Sequence, residues 1–331
     1  TAGISEVAQG KEYYQHLINY WTTTNLPADE IFKTGEAEVA RIRLEMEKVK
    51  NQVGFKGNLK AFFEHVNSDK QFMPYKTPEE VVAGFNKIHE QIRPQLKKFF
   101  NMVPKTAFEV RQTEAFRAAS SSAEYNAGTP DGSRPGVFYV PILEAKTFNY
   151  TGMETLFLHE AIPGHHYQIA LQYENEELPK FRRFLWFGAY GEGWALYTES
   201  LGKELGLYKD PYQYFGNLGD EMHRAIRLVV DVGIHTREWT REQAIEYMLD
   251  NEAISLQAAT AEIERYMAVP GQALSYKIGQ LKIMELRKKA ADVLGEQFNL
   301  ALFHDEVLKY GCLPLDVLES IINEWIDKQR A

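Results

Sequence analysis

Leu156-Phe157-Leu158-His159-Glu160-Ala161-Ile162-Pro163-Gly164-His165-His166 is the stretch on which the reading of this chain turns. An apolar run ends on an adjacent histidine and glutamate, and two more histidines follow within seven residues. Zinc takes about four ligands from imidazole, thiolate or carboxylate. A hydrolytic site keeps one position for water and places a carboxylate to take that water's proton. The usual helical arrangement sets two histidines one turn apart, but the residue four beyond His159 is Pro163. On an unbroken helix His165 points away from His159, and His166 points the same way but roughly 10 Å along the axis. Pro163-Gly164 is a helix breaker, and a kink there brings a later histidine back towards the first. His165 is the first choice of second ligand and His166 the alternate. The bland alternative is a helix end capped by Gly164.

Downstream lies Gly191-Glu192-Gly193-Trp194-Ala195-Leu196-Tyr197-Thr198-Glu199. Cys312 is the single cysteine, so a metal site here uses histidine and carboxylate. Glu192 is the third-ligand candidate. Glu199, seven residues on and on the same helical face, suits a hydrogen bond to a ligand histidine. Glu160 is then the general base.

The 331 residues, with a net charge of −9 and a quarter of them charged, form an ordinary globular composition with room for a large core. The acidic balance argues against a nucleic-acid partner. One cysteine excludes a disulfide scaffold, and no apolar run has transmembrane length. The start, Thr1-Ala2-Gly3-Ile4, has no signal-peptide pattern and no methionine. It is read as a processed or truncated product, which leaves the compartment open.

Helical periodicity covers most of the chain. Helices are expected over 5–22, 28–53, 58–67 and 77–100, the last opened by Thr77-Pro78-Glu79-Glu80 as N-cap, proline at N1 and glutamate at N3. Short strands at 108–111 and 137–142 flank small, polar, breaker-rich sequence. They form a ribbon beside the metal helix, either a plain structural hairpin or an edge to which a peptide adds as a further strand. The metal helix is expected to run, kinked, from Thr151 to Leu178, and the next over 180–205. A turn-rich segment at 211–219 precedes a helix from Asp220. On that helix Arg224, Arg227, Asp231 and His235 are spaced three, four and four, a polar stripe on an apolar helix. It is read as a cleft wall or as an internal salt-bridge network, since buried charges need partners. Thr240 and Gln243 form a capping box. Tyr276, after the Pro270-Gly271 break, is a candidate for stabilising an oxyanion, and His304 is read as a structural histidine. Arg227 or Arg265 is a candidate for holding a terminal carboxylate, Gln272 and Lys277 for further substrate contact, and Glu154 or Glu144 for an amino terminus.

Five blocks then occur in order: His159 to His166, Glu192 to Glu199, Arg227-Leu228-Val229-Val230-Asp231-Val232-Gly233-Ile234-His235, Pro270 to Gly279, and Phe303 to Leu308 followed by Gly311 and Pro314-Leu315. As a set they resemble the bacterial family called domain of unknown function 885, which is similar to helical gluzincin metallopeptidases of the oligopeptidase and Taq-carboxypeptidase type. The resemblance implies a mainly α, zincin-like metallopeptidase fold with a small β ribbon. Residues 1–103 are then an N-terminal helical region of the catalytic unit, and 104–331 its metal-binding region. It implies His159, His165 and Glu192 as ligands of one zinc per chain, Glu160 as base, and Tyr276 and His235 near the transition state, with Glu199 and Asp231 behind them. It also implies that the chain is the C-terminal part of a longer precursor, exported to the periplasm or as a lipoprotein. The expected activity is zinc-dependent hydrolysis of peptide bonds. A metal-dependent hydrolase of another amide or ester, or a noncatalytic metal-binding helical protein, are the alternatives.

Overall fold

The computed structural model describes residues 3–330, so Thr1 and Ala2 of the start lie outside it. The chain begins with four helices, α1 (Gly10–Thr22), α2 (Ala28–Gln52), α3 (Leu59–Ser68) and α4 (Pro78–Leu96). The first starts at Gly10, later than the expected residue 5, and local signals mark the other three. Gly54, at φ 75°, lies two residues beyond α2. The Asn58 side chain caps α3 by accepting from the Ala61 amide at 2.8 Å. Thr77 does the same for Glu80 on α4, which holds Pro94 inside its last turn and stops at Leu96, short of the expected 100.

The sheet follows. Strands β1 (Phe108–Gln112), β2 (Glu124–Asn126) and β3 (Gly136–Val140) lie in the order β1-β3-β2, and a short helix α5 (Ala115–Ala118) connects the first two. β1 runs parallel to β3 with Phe108 opposite Gly136, and β2 runs antiparallel with Tyr125 opposite Phe138. A hairpin of 108–111 with 137–142 is therefore not what forms. The polar segment between them returns as β2 and takes the edge of the sheet.

Helices fill the rest: α6 (Met153–Glu160), α7 (His165–Glu174), α8 (Lys180–Arg183), α9 (Gly188–Ser200), α10 (Pro211–Thr236), α11 (Arg241–Asn251), α12 (Leu256–Ala268), α13 (Ser275–Leu294), α14 (Leu300–Leu308) and α15 (Leu315–Arg330). Several boundaries differ from the sequence reading; the helix capped by Thr240, expected to reach about Leu256, ends at Asn251, and α12 begins at Leu256. The kinked helix over 151–178 is two helices, and that over 180–205 is a single turn, α8, then α9. The helix expected from Asp220 starts at Pro211, because Asp210 accepts from the Tyr212 amide at 2.9 Å and proline is at home at N1. The aromatic segment 211–219 is its first two turns.

The core runs without interruption from Tyr14 to Ile326. At its centre α10 lies along α2, so close at Gly35 that a Cβ there would stand 2.7 Å from that of Leu228. α9 lies along α13 in the same way, with Gly193 against Gly279. Among the described residues no helix is long and apolar enough to cross a membrane.

Candidate metal centre and cleft

His159 is the penultimate residue of α6 and His165 the first of α7, and the four residues between the two helices, Ala161 to Gly164, break the helical course. The Ile162–Pro163 peptide is cis. Gly164 packs so tightly that a Cβ would fall 1.9 Å from the His159 carbonyl oxygen. Only glycine fits there, and the turn it allows sets the two imidazoles edge to face, with ring centroids 4.8 Å apart. α9 holds the turn from behind. Trp194 Nε1 donates to the Pro163 carbonyl at 2.9 Å, and Thr198 Oγ1 to that of Leu158 at 2.9 Å.

α9 also delivers Glu192. Its two flanking glycines have separate packing reasons: the Trp186 ring lies on Gly191, and the backbone of α13 lies on Gly193. Glu192 Oε2 stands 3.6 Å from His159 Nε2 and 3.5 Å from His165 Nε2. These separations are long for charged hydrogen bonds. They match the edge of a tetrahedron about a cation with bonds near 2.1 Å, which is about 3.4 Å. One ligand atom from each of His159, His165 and Glu192 lies within 4.8 Å of the others, and the group can hold a metal ion.

The electrostatics favour positive charge at this point. His159 Nδ1 donates to Glu199 Oε1 at 2.7 Å, and Nε2 faces Glu192. Burial opposes charge on this ring, yet the hydrogen bonds to Glu192 and Glu199 and the nearby Glu160 hold its pKa well above the ordinary range. Burial would raise Glu192, and the charges of His165 and His159 instead drive it far below the usual carboxylate range. Glu160 is raised by burial. The His165 Nδ1 atom is buried without a hydrogen-bond partner.

These groups open into a cleft of about 770 Å³. Glu160, Glu199, Arg227, Arg265 and Tyr276 line it with the histidine–glutamate group, as do four residues that sequence reasoning did not single out: Tyr125, Trp186, Asp220 and Glu262. Arg224, noted only as part of the polar stripe, lines it too. Asp220, Arg224 and Arg227 follow one face of α10 at spacings of four and three. Burial raises Asp220 to about 6.

Other expected site residues are placed elsewhere. His166 accepts or donates at Nδ1 to the Tyr125 hydroxyl at 3.0 Å and packs on Phe108, away from Glu192. His235 is wholly buried between α1 and α12, where Nδ1 accepts from the Ile4 amide at 3.2 Å and Nε2 donates to the Tyr266 carbonyl at 3.1 Å. Both nitrogens are used, and the ring does not line the cleft. Asp231 accepts from the Tyr14 hydroxyl at 2.6 Å and the Gly271 amide at 3.0 Å, and so ties α1 to the Pro270-Gly271 break rather than supporting a ligand histidine. Lys277 is fully buried and pairs with Glu38 at 2.9 Å and Glu221 at 2.7 Å, an internal ion-pair network rather than a substrate contact. Gln272 accepts from Arg265 at 2.9 Å behind the cleft wall. Glu154 accepts from the Tyr208 amide and Glu144 is exposed outside the cleft. His304 is fully buried, donating to the Phe99 carbonyl and meeting the Tyr197 hydroxyl, both at 2.7 Å.

Residues 2–322 match the model of a family described as bacterial protein of unknown function, DUF885. Two solved structures are similar. A candidate lipoprotein from Colwellia psychrerythraea is 39% identical with a TM-score of 0.94, over 99% of this chain and 57% of that one. A candidate lipoprotein of unknown function from Shewanella oneidensis is 23% identical with a TM-score of 0.82, over 98% of this chain and 60% of that one, and shows the fold alone. The chain thus spans under two thirds of either. No curated protein matches.

Proposed function

Since the chain belongs to the DUF885 family of bacterial proteins, whose description carries no activity, we propose its function from the site: metal-dependent hydrolysis of peptide bonds, with zinc as the ion. The observation that carries this is the convergence of His159, His165 and Glu192 beside a buried, cleft-facing Glu160. Two imidazoles and a carboxylate are a three-ligand set suited to zinc with one position left for water. Bound there, the ion supplies Lewis-acid polarisation of a water or a carbonyl oxygen.

The protein's own groups do the remainder. Glu199 holds the His159 ring in the orientation and tautomer that a ligand needs. Glu160 takes the proton of the attacking water and returns it to the leaving amine, and its raised pKa brings it nearer the pH at which both transfers are efficient. The Tyr276 side chain lines the cleft, and its hydroxyl suits the developing oxyanion. The peptide assignment is supported by the sheet. β2 is an edge strand, and residues Ser122 to Tyr125 line the cleft, so an extended backbone can pair along its free side.

The zincin-like classification, the lipoprotein or periplasmic location and the longer precursor belong to the same proposal. The organisms' structures described as candidate lipoproteins agree with export. The deciding experiment is Glu160→Gln. Purified protein is expected to carry about one zinc per chain and to cleave peptides from a mixed library; the variant keeps its zinc and loses turnover by roughly a hundredfold or more. Turnover that survives the substitution rules out the base, and wild-type protein that takes up no metal rules out the mechanism.

A further inference from the structure

The cleft wall built by α10 and the start of α13 is cationic, and the histidine–glutamate group does not use it. Arg224 and Arg227 rise from α10 three residues apart, and their guanidinium carbons lie 5.3 and 4.6 Å from the centre of the Tyr276 ring. The Tyr276 ring thus meets two cations. Arg227 is only 5% exposed. Its Nε donates to the Tyr266 hydroxyl at 2.9 Å and its Nη2 to Glu262 at 3.2 Å, while Nη1 is buried without a partner. Arg224 Nε is buried without a hydrogen-bond partner as well, with Asp220 and Glu160 near enough to feel this guanidinium's charge. The neighbouring Arg265 is already taken by Glu262 and Gln272.

A buried guanidinium donor left unmade is costly, and such a group in a cleft marks the place of an acceptor brought by a ligand. The fork of a guanidinium fits a planar, two-oxygen acceptor. Glu124, Glu160, Glu192 and Asp220 line the same cleft, which disfavours a doubly charged phosphate more than a singly charged carboxylate. We propose that Arg224 and Arg227, beside Tyr276, bind a carboxylate of the substrate. Substrates are then peptides that present a free C-terminal carboxylate, or an acidic side chain, at this wall. The cleavage implied for them rests on the hydrolase reading, whereas the binding does not. Arg227 is held in place by Tyr266 and Glu262, so its free donor has a fixed direction; Arg224 is not so tied.

The test is calorimetric binding to the Glu160→Gln protein, with zinc and without it, of three acetylated peptides of one sequence: a free C-terminal acid, its C-terminal amide, and the amide with one neutral residue replaced by glutamate. The metal-free arm removes any contribution of a carboxylate held by the ion. The expected result is that a carboxylate-bearing peptide binds tighter than the neutral amide by roughly tenfold or more, the scale of one charge-assisted hydrogen bond, in both arms. Which of the two carboxylate peptides gains identifies the source. The preference is expected to fall in Arg224→Gln, a substitution that breaks no protein hydrogen bond of the Nε donor, and in Arg227→Lys, which keeps the charge but loses the fork. Equal binding of all three peptides, no measurable binding of either carboxylate peptide, or a preference undiminished in both variants overturns the proposal. A preference in a wild-type protein that cleaves no peptide leaves the proposal standing and removes the hydrolase reading. Cleavage of acid and amide with the same KM does the reverse.

Discussion

His165 and His166 are adjacent in sequence and face opposite chemistries. The His165 ring is turned to Glu192 and His159, among carboxylates. The His166 ring lies between Phe108 and Tyr125, and burial pushes it down to about 4, a neutral imidazole filling space. Elemental analysis is expected to find the metal lost from His159→Ala, His165→Ala and Glu192→Ala, and about one ion per chain retained in His166→Ala. Metal lost from His166→Ala and retained in His165→Ala reverses the assignment. The residue types were legible in the sequence: without cysteine pairs, a metal site had to use histidine and carboxylate. The choice between neighbours was not, because it depends on how α7 enters its first turn, which Gly164 sets by its contact with the His159 carbonyl.

At the scale of elements, the cleft depends on two close approaches that glycine alone permits. The Gly164 turn joins α6 to α7, and the Gly193–Gly279 contact lets α13, which carries Tyr276 to the cleft, lie against α9. A Cβ at Gly279 would stand 1.8 Å from the Ala189 carbonyl, a backbone atom that cannot rotate away. Gly279→Ala is therefore expected to destabilise the protein by about 1–3 kcal/mol, the usual cost of overpacking, and to weaken metal retention because α9 carries Glu192. Urea unfolding and zinc content measure the two effects, and an unchanged midpoint contradicts the packing argument. Local starts were readable here, as in Thr77-Pro78 and the Thr240–Gln243 box, where a side chain reports on a backbone amide three residues away. The split of 151–178 into two helices was not, since proline and glycine announce a break but not the direction the chain takes after it.

The whole molecule is a single run of core with histidines enclosed in it. His304 is pushed down to about 3 and His235 to about 4, both by burial, so they stay neutral in the folded protein while an unfolded histidine titrates near 6.5. Between those values the unfolded chain binds more protons than the folded one, and stability falls as pH decreases. The protein is expected to hold its stability above about pH 6.5 and to lose it progressively from there towards pH 4. His304→Gln, read by denaturant midpoint at several pH values, is expected to flatten that slope while lowering stability near pH 7. A slope unchanged by the substitution removes His304 from the account.

Local sequence accounts for a mainly helical chain, for the capped starts of helices such as α4 and α11, and for the residue types that converge at the cleft: His159, Glu160, Glu192 and Glu199. These follow from local rules, since periodicity, caps and the donor chemistry of a side chain need no distant partner. The tertiary structure alone decided what a polar face meets. Asp231 and His235 belong to the same stripe as Arg224 and Arg227, yet they pair with Tyr14 and the Ile4 amide, more than two hundred residues earlier, while the arginines face the cleft. Lys277 looked available and is enclosed by Glu38 and Glu221. A helical stripe fixes which residues share a face. Whether that face looks onto protein or onto solvent is set by the packing of elements far apart in the chain, and burial then decides whether the same charge serves as a structural tie or as a contact for a ligand.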